Sequence, residues 1–128
     1  MIQNLLSIAA GGAIGAILRF LMCEATFKIT GIAYPLGTIL VNLTGCFFIG
    51  LIWGVFSIFE AGNTTKLFIF TGLLGAFTTF STFALENFYL IRNGEIQQFA
   101  FNVLISNIGG ILLVFAGFYV AKILAYKY

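Results

Sequence analysis

The sequence predicts an all-α integral membrane protein: one domain of four transmembrane helices, the third broken mid-membrane, assembled as an antiparallel dual-topology homodimer. Three observations lead there. Of the 128 residues, 61% are hydrophobic and only 8% charged, against about a quarter charged in an ordinary soluble domain. So little polar surface cannot cover a water-soluble globule. The apolar residues fall into four runs separated by short polar stretches, and each crossing needs around twenty of them. Finally, the stretch Gly72-Leu73-Leu74-Gly75-Ala76-Phe77-Thr78-Thr79-Phe80-Ser81-Thr82-Phe83 lies inside the third run, yet it crowds glycines and hydroxyls between phenylalanines. Such residues loosen a helix and compete for its backbone groups. Non-helical backbone is tolerated at membrane depth only where protein or a polar cavity satisfies it.

Composition also narrows the chemistry. There is no histidine, which removes imidazole metal sites and histidine acid–base catalysis, and no nucleophile–base pair of an enzyme can be assembled. The two cysteines, Cys23 and Cys46, read as small hydrophobes rather than a disulfide or metal framework. A net charge of +2 is too small to imply a nucleic-acid partner.

The first span is expected at about 5–23. It has no basic n-region or cleavage pattern, so it reads as a span and not a signal peptide. Gly11, Gly15 and Arg19 recur every four residues, a small-residue stripe that admits a close helix neighbour. Arg19 either snorkels to the interface or forms a positive vestibule that draws anions. A loop carrying Glu24, Lys28, Gly31 and Pro35 is expected next.

The second span, about 34–59, opens at Pro35, where proline is tolerated. Thr38, Asn42 and Gly45 share one face at i, i+4 and i+7. Asn42 sits well inside the apolar run. It serves either as a hydrogen bond between helices or as a donor to a passing solute. Gly50 and Gly54 form a second small-residue stripe, with Trp53 and Phe59 as interfacial or lipid-facing aromatics.

A polar loop, 60–66, leads into the third span, about 67–91. Its second half carries Glu86, Asn87 and Tyr89; Glu86 reads either as a proton-coupled carboxylate or, the favoured reading, as an ion-paired or capping acid near the interface, a turn or so from Arg92. Arg92-Asn93-Gly94-Glu95 reads as a tight turn. On the fourth span, about 96–124, Asn102 and Ser106 share a face, and Gly109-Gly110 offers a close-packing point. Lys122, Tyr126, Lys127 and Tyr128 suit the headgroup region.

Four spans place both termini on one side. Lys66, Lys122 and Lys127 on that side balance Lys28, Arg92 and Arg19 on the other. With no positive-inside bias to orient it, the chain is expected to insert both ways. An antiparallel dimer then supplies the inverted symmetry that larger transporters hold in one chain.

The intramembrane polar set comprises the amide of Asn42 and the hydroxyls of Thr79, Ser81, Thr82 and Ser106, all neutral and all able to donate. Phe80 and Phe83, at i and i+3, share a helix face, and aromatic rings are electropositive at their edges. Neutral donors and ring edges form a weakly attractive anion site, as conduction requires. A cation path would favour carboxylates or converging carbonyls.

Three runs carry a family resemblance: Gly11-Gly12-Ala13-Ile14-Gly15-Ala16-Ile17-Leu18-Arg19-Phe20, Gly37-Thr38-Ile39-Leu40-Val41-Asn42-Leu43-Thr44-Gly45 and Gly75-Ala76-Phe77-Thr78-Thr79-Phe80-Ser81-Thr82-Phe83. In order and spacing they resemble the signature motifs of the Fluc (CrcB-like) fluoride channels, across essentially the whole chain. The resemblance implies an antiparallel homodimer in the cytoplasmic (inner) membrane with two pores passively exporting fluoride. On that resemblance Asn42 is a pore donor, Phe80 and Phe83 the aromatic box, and Ser81, Thr82, Thr38 and Ser106 polar groups of the path. Arg19 sets a positive vestibule. It also implies a structural Na⁺ at the dimer interface, held by backbone carbonyls of Gly75 and Thr78. Two positions depart from the family pattern: Phe20 stands where tyrosine is common, and Asn102 where a pore-facing tyrosine often precedes the serine.

The rival reading is a proton-coupled small multidrug-type transporter, also a four-span dual-topology dimer. It needs an acid in the first span, and Leu5 to Leu21 has none. A passive assembly subunit would leave the clustered hydroxyls without purpose.

Overall fold

A computed structural model describes residues 1–125; Tyr126, Lys127 and Tyr128, read above as a headgroup anchor, lie outside the described residues. Helix α1 is Ile2–Thr30 and α2 is Leu36–Phe56. The third apolar run divides into α3, residues 63–77, and α4, Phe80–Arg92. Helix α5 is Ile96–Ala125. Four helical stretches, Ile2–Thr30, Leu36–Phe56, Asn63–Arg92 and Ile96–Ala125, are long and apolar enough to cross a membrane.

Helix ends depart from the apolar limits expected of the spans. α1 continues through Glu24 and Lys28, so these are helical residues and not part of a loop. The hydroxyls of Thr26 and Thr30 bond back to the carbonyls of Met22 and Thr26, each at 2.7 Å. The helix stops at Gly31, whose φ of 70° is left-handed and costs glycine nothing. α2 ends at Phe56, short of Phe59, while α3 starts early, at Asn63. Hydropathy marks where the hydrocarbon ends, whereas backbone hydrogen bonds carry the helix on into the headgroup layer.

The helices pack as two tight pairs. α1 lies on α3, and α2 on the second half of α5. Glycine makes both possible. A Cβ at Gly15 would collide with the Leu73 carbonyl, and one at Gly117 with the Phe47 carbonyl, so the paired backbones touch. Close backbone approach through small residues is the usual basis of helix association in lipid, where apolar burial gives little drive. α4 packs on the first half of α5. The backbone bonds widen to an i→i+5 pattern over Leu67–Leu74 and Ile105–Gly109. The first ends four residues before the break described next, and the second carries Ser106 and Asn107 to the cavity beside that break; such bulges are frequent at functional sites.

Candidate functional site

The backbone leaves helical geometry at Thr78 (φ −79°, ψ 159°) and Thr79 (φ −149°, ψ 119°). Two devices hold it open. Asn42, facing it from α2, donates from Nδ2 to the Thr79 carbonyl at 3.1 Å and accepts the Thr79 N–H on Oδ1 at 2.8 Å. The amide thus replaces the neighbouring strand an extended residue would otherwise need. Thr79 then caps α4: its Oγ1 accepts the Thr82 N–H at 3.4 Å and donates to Thr82 Oγ1 at 3.0 Å. Gly45, one turn beyond Asn42, leaves room for the Thr78 methyl group.

Because the Thr79 N–H turns to Asn42, the carbonyl of Gly75 loses the partner a continuous helix would give it. The Thr82 N–H likewise goes to Thr79 Oγ1 and not to the Thr78 carbonyl. These are the two carbonyls the resemblance assigns to Na⁺, and freed oxygens of this kind suit a hard cation.

A cavity of about 300 Å³ opens beside the break. Asn42, Gly45, Cys46 and Ile49 line it from α2, and Phe70, Leu74, Gly75 and Thr78 from α3. Thr79, Phe80 and Phe83 line it from the break and α4, Ser106 and Asn107 from α5. None of these side chains is charged. Of the residues singled out in the sequence, the fold therefore gathers Asn42, Phe80, Phe83, Ser106, Gly75 and Thr78 around one space. The Phe80 and Phe83 rings lie 5.6 Å apart at 40°. Phe83 is 9% exposed, whereas Phe80 is 77% exposed and stands at the rim of the protomer.

Four expected site residues lie off this cavity wall. Ser81 and Thr82 occupy the first turn of α4. Arg19 is half-buried on α1. Thr38 is buried and donates to Glu86 Oε1 at 2.6 Å. That bond ties Glu86 to the facing helix α2, a partner that the reading of an ion-paired or capping acid does not anticipate. Glu86 Oε2 is the one buried side-chain oxygen without a hydrogen-bond partner among the described residues.

The hydroxyls are also less free than their number suggests. Thr78 Oγ1 donates to the Leu74 carbonyl at 3.0 Å, and Ser106 Oγ to Asn102 Oδ1 at 3.1 Å. With Thr79 donating to Thr82, the three cavity hydroxyls have each given away their single hydrogen. Freeing one costs about 1 kcal/mol. Asn42, with two N–H groups and one engaged, keeps a hydrogen available to a solute. The sequence did not reveal that Asn102 bonds to Asn87 at 3.1 Å; the shared face of Asn102 and Ser106 was its only signal.

Residues 6–118 match the family described as CrcB-like protein, Camphor Resistance (CrcB). A protein of Desulfotalea psychrophila, named fluoride-specific ion channel FluC, is 40% identical over 121 residues, 94% of this chain and 93% of its own length. A protein of Legionella pneumophila with the same name is 42% identical over 118 residues, 91% of this chain and 88% of its own. One of Shewanella amazonensis, again so named, is 41% identical over 115 residues, 90% of this chain and 93% of its own. A match of this extent, over a helical fold whose cavity gathers residues of the second and third motifs, places the chain in the CrcB-like family.

Proposed function

We propose that the protein is a fluoride-selective channel that lowers intracellular fluoride by passive export across the cytoplasmic membrane. One observation carries the reading: an uncharged cavity at the helix break, lined by Asn42, whose Nδ2 spends one of its two hydrogens on Thr79, and by the Phe80–Phe83 ring pair. Weak, neutral donors bind a small anion firmly enough to strip water and loosely enough to release it. The names of the relatives support the choice of ion. The transporter alternative lacks its essential group, because no carboxylate lines the cavity.

The working unit is an antiparallel homodimer with two pathways. The balanced charges of the two sides support it, as does the bare Phe80 ring, which a second protomer would cover. Gly75 and Thr78 of each protomer would hold a Na⁺ on the dimer axis through their freed carbonyls. Bound there, the ion would supply fixed positive charge beside the two breaks. Arg19 would raise local anion concentration from a vestibule, and Ser81, Thr82 and Thr38 would continue the polar path beyond the cavity.

Efflux from liposomes holding the purified protein, followed with fluoride- and chloride-selective electrodes, tests this. Fluoride flux without proton coupling is expected. Chloride flux of similar size, or none until a pH gradient is applied, would sink the channel reading.

A further inference from the structure

α4 starts after two extended residues, so the helix before it does not fix its rotation about its own axis. Two side-chain amides can. At its head, Asn42 grips both backbone groups of Thr79. Two turns on, Asn87 donates from Nδ2 to the Phe83 carbonyl at 2.9 Å, and its Oδ1 accepts from Asn102 of α5 at 3.1 Å. Asn102 is wholly buried, at 0% exposure, and its Oδ1 accepts the Ser106 hydroxyl. A continuous chain of bonds thus joins two cavity-lining residues on different helices, Ser106 and Phe83, through two amides that do not touch the cavity.

We propose that Asn87 and Asn102 are positioning residues of the permeation site. The pair fixes the rotation of α4, and with it the Phe83 ring, and turns the Ser106 hydrogen away from the cavity. This rests on the cavity being the anion path. Amide pairs between membrane helices are often simple glue, but glue has no need to end at both sides on groups of one cavity. Asn107 shows the contrast: like Asn87 it bonds back four residues, to Val103, but among the described residues no bond joins it to another helix.

The test compares wild type with Asn87→Leu, Asn102→Leu and the double variant. The readouts are fluoride efflux per dimer, thermal unfolding in detergent, and the ¹⁹F spectrum of 4-fluorophenylalanine placed at position 83. Each single change strands a buried amide and lowers both stability and flux. The double change leaves no amide stranded, so stability returns towards wild type. Its flux should stay roughly tenfold or more below wild type, and its ¹⁹F signal should broaden or split as the ring loses its fixed position. A double variant with wild-type flux, or with one unchanged sharp ¹⁹F line, overturns the positioning role. If the leucine variants yield no dimer, Asn102→Ser is read by the same flux and ¹⁹F criteria. A wild type that passes no fluoride removes the channel reading itself, whereas a conducting double variant removes only the role of the pair.

Discussion

Replacing Asn42 by aspartate separates the two duties of its amide. The carboxylate keeps an acceptor for the Thr79 N–H, 2.8 Å away, and makes that bond charge-assisted. It loses the donor that reaches the Thr79 carbonyl at 3.1 Å. Stranding that carbonyl costs about 1–3 kcal/mol, and the stronger N–H bond returns a similar amount, so the fold and the dimer should survive. An anion in the cavity meets a different change. A sphere of about 300 Å³ has a radius of about 4 Å, so an ion inside it sits about 4 to 8 Å from a charge on the wall. At an effective dielectric constant of about 20, the repulsion is about 2–4 kcal/mol. Occupancy, and with it flux at low fluoride, then falls roughly 30- to 1,000-fold. The measurement is the initial rate of fluoride efflux at equal dimer density, made at neutral and at alkaline pH, where a carboxylate is ionised. Efflux within about threefold of wild type from an intact dimer would refute the assignment of Asn42 to the ion path.

Phe80→Ile removes one ring of the pair set 5.6 Å apart, and should reduce efflux roughly tenfold or more while the protomer folds normally, since that ring is 77% exposed. Unchanged efflux would take Phe80 off the path. Gly15→Ala and Gly117→Ala push a methyl group into the Leu73 and Phe47 carbonyls and should cost about 1–3 kcal/mol, read as lower unfolding temperatures in detergent. Gly12→Ala, with nothing within 4 Å of the new atom, is the neutral control; equal behaviour of all three would contradict the close backbone contacts. Exchanging Na⁺ for N-methylglucamine should lower the unfolding temperature of the dimer, because a ligand of the folded state stabilises by mass action. Insensitivity would remove Gly75 and Thr78 as its holders.

Much of the fold is legible in the chain because spanning a membrane is a demand on length and composition alone. The four apolar runs need no partner to be recognised. The interruption near Thr78 is legible for a related reason: threonine, serine and glycine weaken a helix locally, wherever it lies. The limits of the helices are less so. Glu24 and Lys28 look like loop residues by polarity, yet they extend α1, since polarity reports the solvent beside a residue and not its backbone bonds.

The candidate site divides in the same way. The sequence by itself determined which groups are available near the break: the Asn42 amide, the Phe80–Phe83 pair, and a run of neutral hydroxyls without an acid or histidine among them. Only the tertiary structure decided which groups meet across helices. Asn42 meets Thr79 across 37 residues of chain, Thr38 meets Glu86 across 48, and Asn102 meets Asn87 across 15. Each such bond decides whether a donor faces the cavity or is already engaged. The cavity hydroxyls find acceptors within four residues of chain, whereas Asn42, Thr38 and Asn102 meet theirs on helices whose rotation no local pattern in the sequence specifies.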